Sequence, residues 1–381
     1  MAITTRRVGR HRPAPATAIT WVNRHQAACS VGATVLGMAL VAGGAGIGIR
    51  YAVKTGLTAT SVLGIAALVV GLCLLSGATV LAWRALHRWW RLALPPAGVV
   101  VLAVIWAIGL GVAYSYSPRS ALGVGTPAAA GLTYRDVSFA TTDGVELSAW
   151  YIPSTNRAAV VLLHGSGSNR AATLDQATVL AGHGFGALLV DARGQGRSGG
   201  RAMDRGWYGD LDTAAAVAFL QRQPDVDPDR IGLLGLSMGG EEAIGAAAAL
   251  PGVRAVVAEG ATSRTAGDKA GWLPGGVSGF LQRGLDRVTD GTVSLLTGKP
   301  APTSLQAAIG RATATRFLLI TAGDEPDEAA AARDFSTAAP DRVQVWTVPG
   351  SAHTRGLKTQ PQQWTTRVIG FLDDALGVSA G

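Results

Sequence analysis

The sequence predicts two unlike parts, an all-α transmembrane region followed by a mostly parallel, doubly wound α/β domain. Three observations carry this. The first 119 residues contain 11 Lys or Arg and no Asp or Glu, which leaves 22 basic against 25 acidic residues for the rest. Three long uncharged apolar runs fill that first third, and apolar strand-like runs then alternate with helical ones. One of those strand-to-helix junctions reads Gly235-Leu236-Ser237-Met238-Gly239. The pI near 10 belongs to the N-terminal third, so the basic balance gives no reason to expect a nucleic-acid partner.

The apolar runs cover 27–49, 57–83 and 94–114. At about 1.5 Å rise per residue each spans the roughly 30 Å hydrocarbon core of a bilayer. Trp83, Trp89 and Trp90 stand at a run end, where amphipathic rings favour the interface. Arg6, Arg7, Arg10, Arg12 and Arg24 precede the first run, and Arg84, Arg88 and Arg91 separate the second from the third. Only Arg50 and Lys54 lie between the first and second. The positive-inside rule then places the N-terminus in the cytoplasm and the α/β domain outside it, on a multi-pass protein of the cell membrane. Arg6-Arg7 is too far from the first apolar run for a typical twin-arginine signal. Both cysteines, Cys29 and Cys73, fall inside the runs, so the α/β part has no disulfide, thiolate or Cys-based metal chemistry. The expected organisation is a basic tail over 1–26, spans over 27–116, a linker rich in Ser, Pro, Ala and Gly over 117–131, and the α/β domain over 132–378.

Within that domain, 136–140 and 145–152 predict a hairpin turning at Thr142-Asp143-Gly144. Further strands are expected over 158–163, 186–190, 230–234, 254–258, 316–321 and 343–348, and helices over 174–183, 211–221 and 364–376. The strand at 158–163 ends in His164-Gly165-Ser166-Gly167, and the one at 186–190 runs into Asp191-Ala192-Arg193-Gly194-Gln195-Gly196-Arg197-Ser198. The stretch from Gly194 to Gly199 also satisfies the G-x-G-x-x-G of dinucleotide sites. A helix should then begin at once, yet the chain continues as loop through Gly200-Arg201-Ala202. A tight structural loop, with Asp191 and Arg193 paired, is the expectation.

These motifs, H-G-x-G, D-x-R-G-x-G-x-S, G-x-S-x-G and a histidine near the C-terminus, resemble the α/β-hydrolase superfamily over about 132–378. Their wording is similar to its dienelactone-hydrolase and bile-acid acyltransferase-like branches. The resemblance implies that Ser237 is a nucleophile and that His353, after the last strand, is its base. His164 then has a structural role, and His183 is a solvated residue at a helix end.

The acid should follow the strand at 316–321, where Asp324, Glu325, Asp327 and Glu328 crowd together. Aligning the strand without a gap selects Glu325. Counting back from the next helix selects Asp324, and a shortened loop brings in Asp327; the others are then solvated charges. The oxyanion hole is expected from the backbone N–H groups of Ser166 and Met238. The segment at about 260–315 is where a lid is expected, either an apolar cap over the serine or a helix pair on the sheet.

The sequence therefore points to a membrane-anchored serine hydrolase cleaving an ester, thioester or amide through an acyl-enzyme. A small-molecule or lipid-like acyl substrate is expected, with no cofactor and no metal. The competing reading is a catalytically silent hydrolase fold that serves as a membrane-tethered binding module; the intact Ser237 and His353 argue against it, and the irregular acid loop keeps it open.

Overall fold

The computed structural model describes residues 25–378. The arginines from Arg6 to Arg24 that carry the basic tail lie outside the described residues.

Three helices open the described chain: α1 (Gln26–Thr55), α2 (Ala59–Ala85) and α3 (Leu94–Ser115). Among the described residues these are the helices long and apolar enough to cross a membrane, α3 extended at its start by a single turn from Trp90. These helices pack through close backbone approach. A Cβ on Gly64 of α2 would lie 2.4 Å from the Gly48 Cα of α1, and one on Gly44 would lie 2.5 Å from the Leu68 nitrogen. Gly46 meets α3 in the same way, where a Cβ would fall 2.7 Å from the Gly109 oxygen. These α1 glycines belong to a π-helical stretch, Gly44–Ile49.

The α/β domain is built on an eight-stranded sheet: β1 (Arg135–Ala140), β2 (Glu146–Ile152), β3 (Ala159–Leu163), β4 (Gly186–Val190), β5 (Ile231–Leu236), β6 (Val253–Glu259), β7 (Arg316–Ala322) and β8 (Val343–Val348). The spatial order is β1-β2-β4-β3-β5-β6-β7-β8. The opening hairpin is antiparallel and joins β4 antiparallel; every other pairing is parallel. β3, β4 and β5 are buried at every position, as continuous apolar runs in a doubly covered sheet should be.

Helices cover both faces. On one lie α5 (Gly209–Leu220), α6 (Met238–Ala247), α8 (Leu305–Arg311) and α9 (Pro326–Ser336), packed through Val217, Ile244, Ile309 and Phe335 onto Val161, Leu233 and Leu319. On the other lie α4 (Leu174–Gly182) and α10 (Pro361–Leu376), packed through Leu180, Trp364 and Leu372 onto Leu162, Leu234 and Leu318. Alternation along each strand produces the two cores.

The expected lid segment holds one long helix, α7 (Gly276–Thr297), which lies neither over the serine nor on the sheet. It runs along α3. Thr289 Oγ1 donates to the Ala107 carbonyl at 3.0 Å, and a Cβ on Gly111 would fall 2.7 Å from Thr292 Cβ. Phe280 and Leu281 are 67% and 58% exposed, so they form no cap. The helix breaks the expectation because three of its five buried positions, Asp286, Thr289 and Asp290, are polar and pair with Lys269, α3 and Arg205.

The α1–α2 contact generates a test with an internal control. Gly64→Ile should lower the melting temperature of the detergent-solubilised chain, because overpacking typically costs about 1–3 kcal/mol. Gly77→Ile, at a helical position with nothing within 4 Å, should leave it unchanged.

Candidate active site

Ser237 sits between β5 and α6 at φ 55° and ψ −120°, a left-handed backbone that a serine adopts only when its surroundings impose it. The imposing contacts are steric. A Cβ on Gly235 would lie 2.1 Å from the Gly239 oxygen, and one on Gly239 would lie 2.2 Å from the Leu163 oxygen of β3. Ser237 N–H donates to the Glu259 carbonyl at 2.7 Å, which ties the turn to β6. Met238 is the first residue of α6, so its N–H has no acceptor within the helix.

The His164–Gly167 loop passes close by, and a Cβ on Gly165 would lie 3.3 Å from Ser237 Cβ. Buried His164 fixes this loop. Its Nδ1 contacts the Gly165 oxygen at 2.8 Å while Nε2 accepts from the Ala192 N–H at 3.1 Å, so the proton sits on Nδ1. Burial holds this imidazole below its ordinary pKa, and therefore neutral. Ser166 and Ser237 line two cavities of about 430 Å³ each, and His353 lines both.

His353 lies beyond β8. Its Nδ1 is 2.5 Å from Glu328 Oε1, and Glu328 is buried, its Oε2 accepting from the Ala322 N–H at 2.8 Å. Glu328 thus occupies the acid position. This corrects the sequence-based choice of Glu325 and its alternatives Asp324 and Asp327, all three of which are exposed. The physical reason is that the acid comes from a helix rather than from the loop. α9 begins at Pro326 with Glu325 as its N-cap residue, so Glu328 stands in the first turn and folds back onto the end of β7. A proline at the first helical position marks that turn in the sequence, and it is the signal that could have found Glu328. Glu325 and Asp327 do reach the rim of one cavity, with Glu325 adding a negative field at the imidazole. The Glu328 hydrogen bond, opposed by partial burial, raises the His353 pKa above its ordinary value.

Sequence reasoning also passed over Glu259. Its Oε1 accepts from Gly356 N–H at 2.8 Å and its Oε2 from Trp364 Nε1 at 3.0 Å, while its own carbonyl holds Ser237. One residue at the end of β6 therefore braces both the serine turn and the histidine loop. Gly260 follows at φ 75°, where a Cβ would meet His353 Cε1 at 2.8 Å. On the cavity wall Glu241 accepts from Ser263 and Thr262 N–H, and burial pushes its carboxyl upward.

The glycine loop after β4 is structural, and no helix starts in it. The expected Asp191–Arg193 pair does not form. Arg193 pairs instead with Asp212 at 2.6 Å and Asp143 at 2.8 Å, while Asp191 accepts from the N–H groups of Arg170 and Arg197. Asp191 is already filled by one donor from its own loop and one from the turn after β3, so buried Arg193 turns instead to the hairpin turn and to α5.

Fold and site together define an α/β-hydrolase of the serine type. The chain matches the X-Pro dipeptidyl-peptidase (S15) family over residues 143–366, more than half its length, and belongs to that family. It is 26% identical to the esterase Pf2001 of Pyrococcus furiosus, with a TM-score of 0.56, covering 69% of this chain and 99% of that one. It is 38% identical over 120 residues to the uncharacterised protein Rv2307c of Mycobacterium tuberculosis, which is 31% of this chain and 42% of that protein. A thiohydrolase, aneE, of Aspergillus aculeatus is 36% identical over 134 residues, 33% of this chain and 41% of the relative. The chain therefore spans about two fifths of the length of these curated relatives.

The site carries a pH prediction. A base must be unprotonated, so activity rises with pH as the imidazolium loses its proton, with a midpoint above the ordinary value of about 6.5. Glu328→Gln removes the carboxylate that stabilises imidazolium, so kcat should fall on the order of 10³-fold or more and the midpoint should move down. Glu325→Gln and Asp324→Asn should each change kcat only a few-fold. A pH–rate profile of the four proteins reads both effects.

Proposed function

We propose that this protein is a membrane-anchored serine hydrolase that cleaves an ester, thioester or amide bond through an acyl-enzyme. The observation that carries the reading is the Glu328–His353 pair opening onto the same cavities as a serine held in a left-handed turn. The competing reading, a catalytically silent module, loses support because Glu328 supplies His353 with a carboxylate partner.

In the proposed reaction Ser237 Oγ attacks the carbonyl carbon while His353 takes its proton, and Glu328 orients and stabilises the resulting imidazolium. Negative charge gathers on the former carbonyl oxygen, facing the N–H groups of Met238 and Ser166. The tetrahedral intermediate collapses, and His353 returns the proton to the leaving group. A water deprotonated by His353 then attacks the acyl carbon, releasing the acid and restoring Ser237. The relatives described as an esterase, a thiohydrolase and a peptidase all break such acyl bonds, which supports this reaction class.

The same reading anchors the enzyme by α1, α2 and α3, with the hydrolase domain on the outer face. Arg50 and Lys54, in the last turns of α1, contact the hydrolase domain. Arg84, in the last turn of α2, and Arg88 and Arg91, between α2 and α3, stand at the opposite end. Three basic residues against two, before the N-terminal tail is counted, favour the cytoplasm for that opposite side.

The test is hydrolysis of p-nitrophenyl esters of graded acyl length by the purified full chain. Ser237→Ala should reduce turnover on the order of 10⁴-fold or more. A rise in kcat/KM with acyl length supports a lipid-like substrate, and indifference to length removes that part of the proposal. Unchanged turnover in Ser237→Ala removes the mechanism.

A further inference from the structure

Asp204 is buried, belongs to no sequence motif, and sits where the membrane region meets the serine site. Its Oδ1 accepts from the Gly167 N–H at 3.0 Å, in the loop that carries Ser166. Its Oδ2 accepts from Ser117 Oγ at 2.7 Å and from the Arg50 guanidinium. Arg50 belongs to α1, and its other nitrogen donates to the Ala113 carbonyl of α3 at 2.5 Å. One turn later Lys54 Nζ donates to the Gly167 carbonyl at 2.9 Å and to the Pro118 carbonyl at 3.3 Å. The Asp204 N–H itself donates to the Tyr114 carbonyl at the end of α3, and Tyr114 lines a cavity with Ser237 and His353.

Both sides of Gly167 are therefore gripped, its N–H by Asp204 and its carbonyl by Lys54. Both grips lead back to α1. Gly167 has φ 65°, so the loop makes its turn at this residue, one position after the Ser166 N–H. An oxyanion donor works only when held within a few tenths of an ångström of its productive position before the reaction starts. The loop's own sequence supplies His164 as a brace on one side, and nothing in the motif supplies the other.

We propose that Arg50, Lys54 and Asp204 are positioning residues for the oxyanion hole, so that the first membrane span is a working part of the catalytic site and not only its anchor. The proposal rests on the serine-hydrolase reading above. Arg50 neutralises the buried Asp204 carboxylate and fixes its direction. Asp204 then holds the Gly167 N–H, and Lys54 holds the carbonyl from the opposite side. Loosening either grip leaves substrate binding in place and weakens only the stabilisation of the developing oxyanion.

The experiment is steady-state hydrolysis of p-nitrophenyl acetate by the full chain in detergent, with a pH profile and a thermal melt for each variant. Arg50→Gln should lower kcat about 10- to 100-fold, a fraction of what loss of a whole oxyanion donor costs. KM should stay within about twofold and the His353 midpoint unchanged, because Glu328 is untouched. Arg50→Lys should recover most of the rate. Arg50→Gln combined with Asp204→Asn should be less impaired than Arg50→Gln alone, since no uncompensated charge is left buried. Lys54 is exposed, so Lys54→Met should fold normally and still lose kcat several-fold. That variant keeps the question answerable should Arg50→Gln melt early. Wild-type kcat in both Arg50→Gln and Lys54→Met overturns the positioning role while leaving the hydrolase intact. A folded wild-type chain inert towards the ester overturns the hydrolase reading, and this proposal with it.

Discussion

The site depends on one steric constraint, the contact between the turn after β5 and the end of β3. Gly239 presses on the Leu163 carbonyl and Gly235 on Gly239 itself, at separations that leave no room for a side chain. The turn cannot relax, so Ser237 is forced to φ 55° just beyond the C-terminal end of the central strand β5. A parallel sheet makes this possible. β3, β5 and β6 all end on the same side, which lets the His164 loop, the serine turn and Glu259 meet without a long connection. Thr354, next to the histidine, also has a positive φ, of 54°. Strained backbone thus stands on both sides of the reaction.

Buried carboxylates then align what the strands bring together. Glu328 holds the imidazole, Glu259 braces two loops, Glu241 ties α6 to the segment after β6, and Asp204 holds the His164–Gly167 loop. A buried carboxylate is costly unless several donors face it, and each of these has at least two. The donors are largely backbone N–H groups, so each acid fixes the path of a loop as well as a charge.

Much of this could be read from the sequence. The strand-and-helix alternation located every strand of the sheet, because fully buried parallel strands are unbroken apolar runs such as 159–163 and 186–190. Ser237 stood out because its motif encodes local backbone shape, and His353 because it follows the last strand and the other histidines lie elsewhere. The acid did not, because what defines it is distance in space. Glu328 reaches the imidazole from the first turn of α9, and counting along the loop selected its exposed neighbours instead. Arg193 failed for the same reason, since its partners Asp143 and Asp212 come from the hairpin turn and α5. The segment before β7 misled through composition. Its apolar residues suggested a cap, whereas α7 follows α3 and leaves Phe280 and Leu281 exposed beside a candidate membrane span.

On the proposed reading, the contact between α1 and Asp204 joins the N-terminal helices to the chemistry, and the molecule is one assembly built around Ser237. The most direct measurement of that view is peptide mapping by mass spectrometry after the full chain reacts with a fluorophosphonate. The account requires a single stoichiometric adduct on Ser237, suppressed when the pH falls far enough to protonate His353. An adduct on another residue, or none on a folded chain, would contradict it.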